Sequence, residues 1–476
     1  MDSPRLPIIF RRNLFAIWLL AVLLAACAPA RQQSASAPAS GPASAPAQRG
    51  ALTGSGGVNR PEQRAKPYLI LVSLDGFKAE YLDRLELPNL RRLAGRGARA
   101  KAMVPVFPTL TFPNHYSLVT GLDPQRHGIV NNRFYDPARN DTYVYTDPRT
   151  VTDGSWYGGE PIWVTAESQG MVAACYFWPG SEAAIKGVRP TTFNAYTSGI
   201  SNEARVKTVL TWLDEPIERR PHMITLYFSQ LDEASHDHPL ESPEVVKAAQ
   251  ALDGAMGQLV DGIDRLPIRD QVYIVVTSDH GMVNTSTPQT VRLESILDPT
   301  EGSSITTGFS GPVASLHVSG GIEGARAIRD RINARVARGT AYLRQDLPAR
   351  FNYRDNPRGG DVVVVMDEGW TMSAPRAPAR SAAAPAPAAQ KPAAPTAKPA
   401  ALERTPRERW GAHGWDNSFP SMRALFLVAG PGIREGVIVD EVRNVDVYPL
   451  MAELLQLRAA SGIDGEAGRI RKLISR

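Results

Sequence analysis

Cysteine is nearly absent from this 476-residue chain: Cys27 and Cys175 are the two it has. Cys27 sits in an N-terminal export-like segment, so one thiol remains for the folded part and no internal disulfide can brace it. Histidine is also scarce, at 8 residues. Charge of one sign is lacking too. A net +5 with no long basic run argues against a dedicated nucleic-acid binder. The apolar run Leu14–Leu24 falls short of the ~20 residues that span a bilayer. No internal repeat is found. What remains is an ordinary globular composition, 43% hydrophobic and 21% charged, with ample material for a large core.

The ends of the chain differ from its body. Arg5, Arg11 and Arg12 precede the apolar run, and small residues Ala25 and Ala26 lead into Cys27. This is the pattern of a secretory signal over residues 1–26. "LAAC" resembles a bacterial lipobox, which predicts lipidation of Cys27. Ala28 after the cysteine, in place of aspartate, suggests anchoring in the outer membrane of the cell envelope, facing the periplasm or the outside. Residues 27–66 are rich in Ala, Ser, Pro and Gly and read as a flexible tether. A second low-complexity segment, 373–402, is expected to be a disordered insertion because it has almost nothing to bury. The folded domain is therefore expected over 67–372 and 403–460, with a C-terminal tail at 461–476.

Near-continuous apolar runs mark strands buried on both faces: "PYLILVSLDGF", "MVAACYFW" (171–178), "MITLYFS" (223–229), "VYIVVTS" (272–278) and "ALFLVAG" (424–430). Between two of them, Val246, Ala249, Leu252, Met256, Leu259, Val260 and Ile263 recur at helical spacing. The alternation predicts an α/β fold, a mostly parallel central sheet flanked by helices. "SLHVSG" and "DVVVVMDEG" in 300–370 add a small cap or extra strands.

Polar residues follow the strands in a consistent way. Asp75 ends the first, Asp232 follows the third, and Asp279 and His280 follow the fourth. Ligands in open α/β sheets bind beyond the carboxyl ends of strands, so these residues share one candidate site. His236 lies one helical turn after Asp232 and reaches the same face, with His238 as its competitor. Gly281 permits a tight turn beside Asp279 and His280. His413 precedes another strand. His115, His127, His222 and His317 fit ordinary structural positions. Carboxylates and imidazoles without thiolates suit zinc, with manganese and iron also compatible. Six such ligands exceed one tetrahedral ion and suit a two-metal site.

"LVSLDGF", "PTLTFPNHYSLVTG", "GIVNN", "SDHGM" and "HGWDN" together resemble the nucleotide pyrophosphatase/phosphodiesterases of the alkaline phosphatase superfamily, from about residue 68 to 455. The resemblance implies an alkaline-phosphatase-like core and two zinc ions. Asp75, Thr111, Asp279 and His280 would surround one, and Asp232, His236 and His413 the other. It implies that Thr111 is the nucleophile, that Asn132 binds a phosphate oxygen, and that Phe112 and Tyr227 enclose a nucleobase. Leu231, Ser235 and Ser117 depart from the residues common in that family, but none alters a ligand type.

The implied activity is hydrolysis of phosphodiester or pyrophosphate bonds, with nucleotides the leading substrates, through a covalent phosphothreonine. Phosphomonoester or lipid head-group diester hydrolysis within the same superfamily are the alternatives, and a non-catalytic nucleotide- or partner-binding lipoprotein is the reading from another class. Pro113 suits the first turn of a helix and puts Thr111 near its start.

Overall fold

The computed structural model describes residues 48–49, 55–374 and 409–474. The signal segment, Cys27, most of the tether and the Ala/Pro-rich insertion from residue 375 lie outside the described residues. Ordered chain begins earlier than the tether reading expects. Asn59 is buried, donating to Ile217 O and Arg220 O and accepting from Val172 N. A polar side chain thus fixes a segment with little to bury. At the other end Ile470 and Leu473 are buried against the core.

One sheet of nine strands organises the body. In chain order these are β1 (Gln48–Arg49), β2 (Tyr68–Leu74), β3 (Gly97–Val104), β4 (Ala173–Tyr176), β5 (Thr192–Asn194), β6 (Met223–Phe228), β7 (Val272–Thr277), β8 (Phe426–Ala429) and β9 (Val437–Arg443). Their spatial order is β1-β5-β4-β6-β2-β7-β8-β3-β9. Pairing is parallel except at β8, which opposes both β7 and β3, and at the two-residue edge β1. Every residue of β2 and β6 is buried, as central strands covered on both faces require.

Helices cover the sheet. Ser242 caps the helix Pro243–Asp264 by accepting from Val245 N, and Pro243 stands at its first position. Its buried stripe runs through Ala249, Leu252, Met256, Leu259, Val260 and Ile263. It begins at Val245, with Val246 only half-buried, one residue earlier than the periodicity predicts. The 300–370 region forms a separate four-stranded antiparallel sheet, Ile305–Phe309, Val313–Val318, Val362–Met366 and Gly339–Leu343, with its own apolar cluster. These are the extra strands the sequence predicts.

Candidate active site

Three neighbouring strands, β6, β2 and β7, deliver their acidic residues to one end of the sheet. Register pairs Ser73 with both Tyr227 and Thr277, so Asp75, Asp232 and Asp279 leave the sheet side by side. After Asp75 the chain turns at Gly76, whose φ is +69°. A Cβ there would sit 3.2 Å from the Asp232 carboxylate, so glycine meets both the conformation and the space. Gly281 is needed for another reason than the turn its sequence suggests: its φ is ordinary, but a Cβ would lie 2.0 Å from Ser421 O.

The helix Gln230–Asp237 places His236 one turn after Asp232, with Nε2 3.4 Å from Asp232 Oδ2. His413 Nε2 lies 3.2 Å from His236 Nε2 and 3.6 Å from Asp232 Oδ1. His280 bridges the two sides. Its Nε2 is 2.9 Å from Asp279 Oδ2 and 3.5 Å from Asp75 Oδ1, while its ring stacks on His413 at 3.6 Å. Two groups emerge, Asp232 with His280 and His413, and Asp75 with Asp279 and His115.

The imidazoles share one device. His236 Nδ1 pairs with Gly411 O, His280 Nδ1 with Gly281 O and His413 Nδ1 with Thr109 O, each at 3.0 Å. A carbonyl only accepts, so each Nδ1 carries the proton and each Nε2 lone pair points into the site. Asp75 Oδ1, Asp232 Oδ1, Asp279 Oδ2 and His280 Nε2 are buried with no hydrogen-bond partner. Buried acceptors facing acceptors cost free energy unless a cation lies among them, so this donor set fits divalent metal.

Electrostatics reflect the crowding of these groups: against the burial that lowers it, Asp279 and Asp232 raise the pKa of His280, so a metal bound there would displace its proton. Burial pushes the Asp75 carboxyl well up, and Asp279 adds to this. Burial also raises Asp232, against the pull of His236 and His280. Asp279 feels the same burial, yet His280 and His115 hold it below the usual carboxylate range. Burial and the two neighbouring imidazoles drive His413 well down, keeping it neutral as a ligand must be.

Thr111 opens the helix Thr111–Thr120, with Leu110 in the capping position and no side-chain cap bond. Its hydroxyl is therefore not used as a cap. Phe112 N donates to Asn132 Oδ1 at 2.8 Å, which occupies that oxygen and leaves the Asn132 amide hydrogens as donors beside Thr111. Thr109 is engaged differently. Its hydroxyl donates to Trp415 O and accepts from Gly414 N, both at 3.0 Å, so it supports the segment carrying His413.

Residues 69–416 match the type I phosphodiesterase / nucleotide pyrophosphatase family. The chain belongs to that family. It is 34% identical over 429 residues to venom phosphodiesterase CdcPDE of Crotalus durissus collilineatus, covering 88% of this chain and 48% of the relative. To human ectonucleotide pyrophosphatase/phosphodiesterase family member 1 it is 35% identical, covering 88% of this chain and 43% of that protein. The chain thus spans about half the length of these relatives. Murine ectonucleotide pyrophosphatase/phosphodiesterase 5 superposes with a TM-score of 0.74 at 27% identity, over 86% of this chain and all of that one. An inactive threonine-to-alanine form of the murine protein, in complex with AMP, superposes equally well.

Two residues of this family member depart from the roles their sequence suggests. Tyr227 is 8% exposed, and its hydroxyl donates to Asp75 Oδ2 at 2.5 Å. Tyr227 thus orients a metal-ligand candidate, and its ring is about as enclosed as that of Phe112, which is 9% exposed. Open aromatic surface comes from Tyr145, 45% exposed with its ring 5.3 Å from Phe112, and from Tyr196, 46% exposed and 6.3 Å from Tyr227. Both arrive on loops from far along the chain, and no local pattern marks them. His115 is the other. Its Nδ1 is 2.9 Å from Thr111 O and 3.4 Å from Asp279 Oδ2, and its Nε2 is 2.8 Å from Ser73 Oγ. With both nitrogens engaged it supports Thr111 and Asp279. Its i+4 spacing from Thr111 was the available signal. His238 ends its helix and joins neither group.

Proposed function

We propose that this protein hydrolyses phosphodiester or pyrophosphate bonds in nucleotides, with Thr111 as nucleophile and two zinc ions as cofactors. Asp75, Thr111, Asp279 and His280 would hold one ion, and Asp232, His236 and His413 the other. The observation that carries the reading is the set of orphaned, buried carboxylate and imidazole atoms converging beside an uncapped helix-opening threonine. The family membership and the AMP-bound murine neighbour support it.

Bound zinc would supply positive charge that favours the alkoxide and offsets charge on the departing oxygen. The chain does the rest. Asn132 donates to a non-bridging phosphate oxygen while Phe112 N holds its carbonyl still. The first turn of the Thr111 helix adds the favourable end of its dipole. Thr111 Oγ1, its proton lost to solvent, bonds to phosphorus as the bond to the leaving oxygen breaks, giving a threonine-linked phosphodiester that still carries the nucleoside while the leaving oxygen takes up a proton. Water then attacks phosphorus, restores the threonine hydroxyl and releases the phosphorylated product. The reading extends to the cell envelope, with lipidated Cys27 as an outer-membrane anchor, on the support of Arg5, Arg11, Arg12 and the run into "LAAC".

The test is zinc content of the purified protein alongside hydrolysis of a nucleotide diester and a phosphate monoester. Diester preference and loss of activity in Thr111→Ala are expected. Monoester preference would overturn the diesterase assignment, and full activity in Thr111→Ala would overturn the mechanism.

A further inference from the structure

Tyr196 is the more elaborately held of the two exposed aromatics at the site. Its backbone N donates to Glu182 Oε1 at 3.1 Å, and its ring lies 5.3 Å from Phe177. Beneath it, the buried Arg205 guanidinium donates to Ile200 O and Tyr227 O, tying the Tyr196 loop to the strand that carries Tyr227. At its tip the hydroxyl lies 3.3 Å from Ser229 Oγ and 3.1 Å from Glu233 Oε1.

Glu233 immediately follows the ligand candidate Asp232 in the first turn of its helix, and it is exposed. Among the described residues no lysine or arginine lies within ion-pairing distance of it, and the Arg205 guanidinium acts on it only through its longer-range field. A carboxylate of this kind can only accept, and it stands at the edge of an open aromatic platform. A planar ring resting on Tyr196 would present its rim to that acceptor. Amino groups on the rim are attracted to it, whereas carbonyl oxygens are repelled.

Resting on the nucleotide reading above, we propose that Glu233 is a specificity-determining residue that selects nucleotide substrates whose base carries its amino group at the purine 6 or pyrimidine 4 position, adenine or cytosine, over thymine or uracil. The discrimination is about tenfold in kcat/KM, as suits an exposed charge-assisted hydrogen bond and far below what a buried polar pocket achieves.

The cleanest pair of probes is the 4-nitrophenyl esters of cytidine and uridine 5′-monophosphate, which differ only along that edge. Their kcat/KM ratio cancels differences in folded or metal-loaded fraction. The intact protein should favour the cytidine ester about tenfold, and Glu233→Gln and Glu233→Ala should each bring the ratio near one. A ratio near one in the intact protein, or a cytidine preference surviving in both variants, overturns the proposal. If neither ester is cleaved faster by the intact protein than base-free bis(4-nitrophenyl) phosphate, the nucleotide reading itself fails, and the proposal with it.

Discussion

Thr109→Val separates support of the metal ligands from the chemistry of Thr111. Valine keeps the volume and the β-branch but removes a hydroxyl that is fully buried. Gly414 N–H and Trp415 C=O then lose their partner with no water to replace it. At about 1–3 kcal/mol for each buried group left unpaired, the variant should lose about 2–6 kcal/mol of stability. The second effect is local. Thr109 O accepts from His413 Nδ1 across 304 residues of chain, so loosening this corner frees the imidazole to tilt. Weakened support behind a ligating histidine costs about 10–100-fold in metal affinity. Urea unfolding of metal-free protein reads the first effect, and zinc competition against a chromogenic chelator reads the second. Thr109→Ser, which restores the hydroxyl, should recover most of both. Wild-type zinc affinity in Thr109→Val would refute the claim that this hydroxyl positions His413.

Asn132→Ala should lower kcat by about 10²–10³, the usual cost of losing one donor to developing phosphate charge. Asn132→Asp should be no better, because a carboxylate still accepts from Phe112 N yet faces the phosphate with negative charge; near-normal turnover in either variant would remove Asn132 from the mechanism. His127 provides a pH signature remote from the candidate metal ligands. Burial pushes its pKa from 6.5 down to about 3, and Ile129 N donates to its Nδ1. The unfolded chain therefore takes up a proton that the folded one refuses. The contribution of His127 to stability is complete above pH 6.5 and is lost at about 1.4 kcal/mol per pH unit below it, until about pH 3. Urea midpoints at pH 7.5 and 5.5 should show a smaller drop in His127→Asn than in wild type, and equal drops would count against this account.

Much of the fold was legible because central parallel strands must be apolar on both faces, which left runs such as Tyr68–Leu74 unmistakable. The same logic exposed Asp75, Asp232 and Asp279, since a charged residue closing such a run has left the sheet at its functional end. What escaped was non-local. The reversal of β8 depends on which neighbours it meets, not on its own residues. The family pattern and the spacing before Asp232 place Tyr227 at the base, and neither says anything of the register with Ser73 that turns its hydroxyl to Asp75. The anchoring of residues 55–66 depends on side chains such as Asn59 meeting distant backbone, which composition cannot register.

The pairing of Thr109 with His413 also dates the site's assembly. No stretch of chain emerging early from the ribosome can form both groups of ligands, because Asp75 waits for Asp279, and His236 waits for Gly411 and His413. Contacts so distant in sequence form late and slowly. A nascent chain halted before residue 411 carries acidic residues with no histidine partner from that segment. Completion of the group formed by Asp232, His280 and His413 is thus deferred to the end of folding, even though the group of Asp75, His115 and Asp279 is complete in sequence by residue 279.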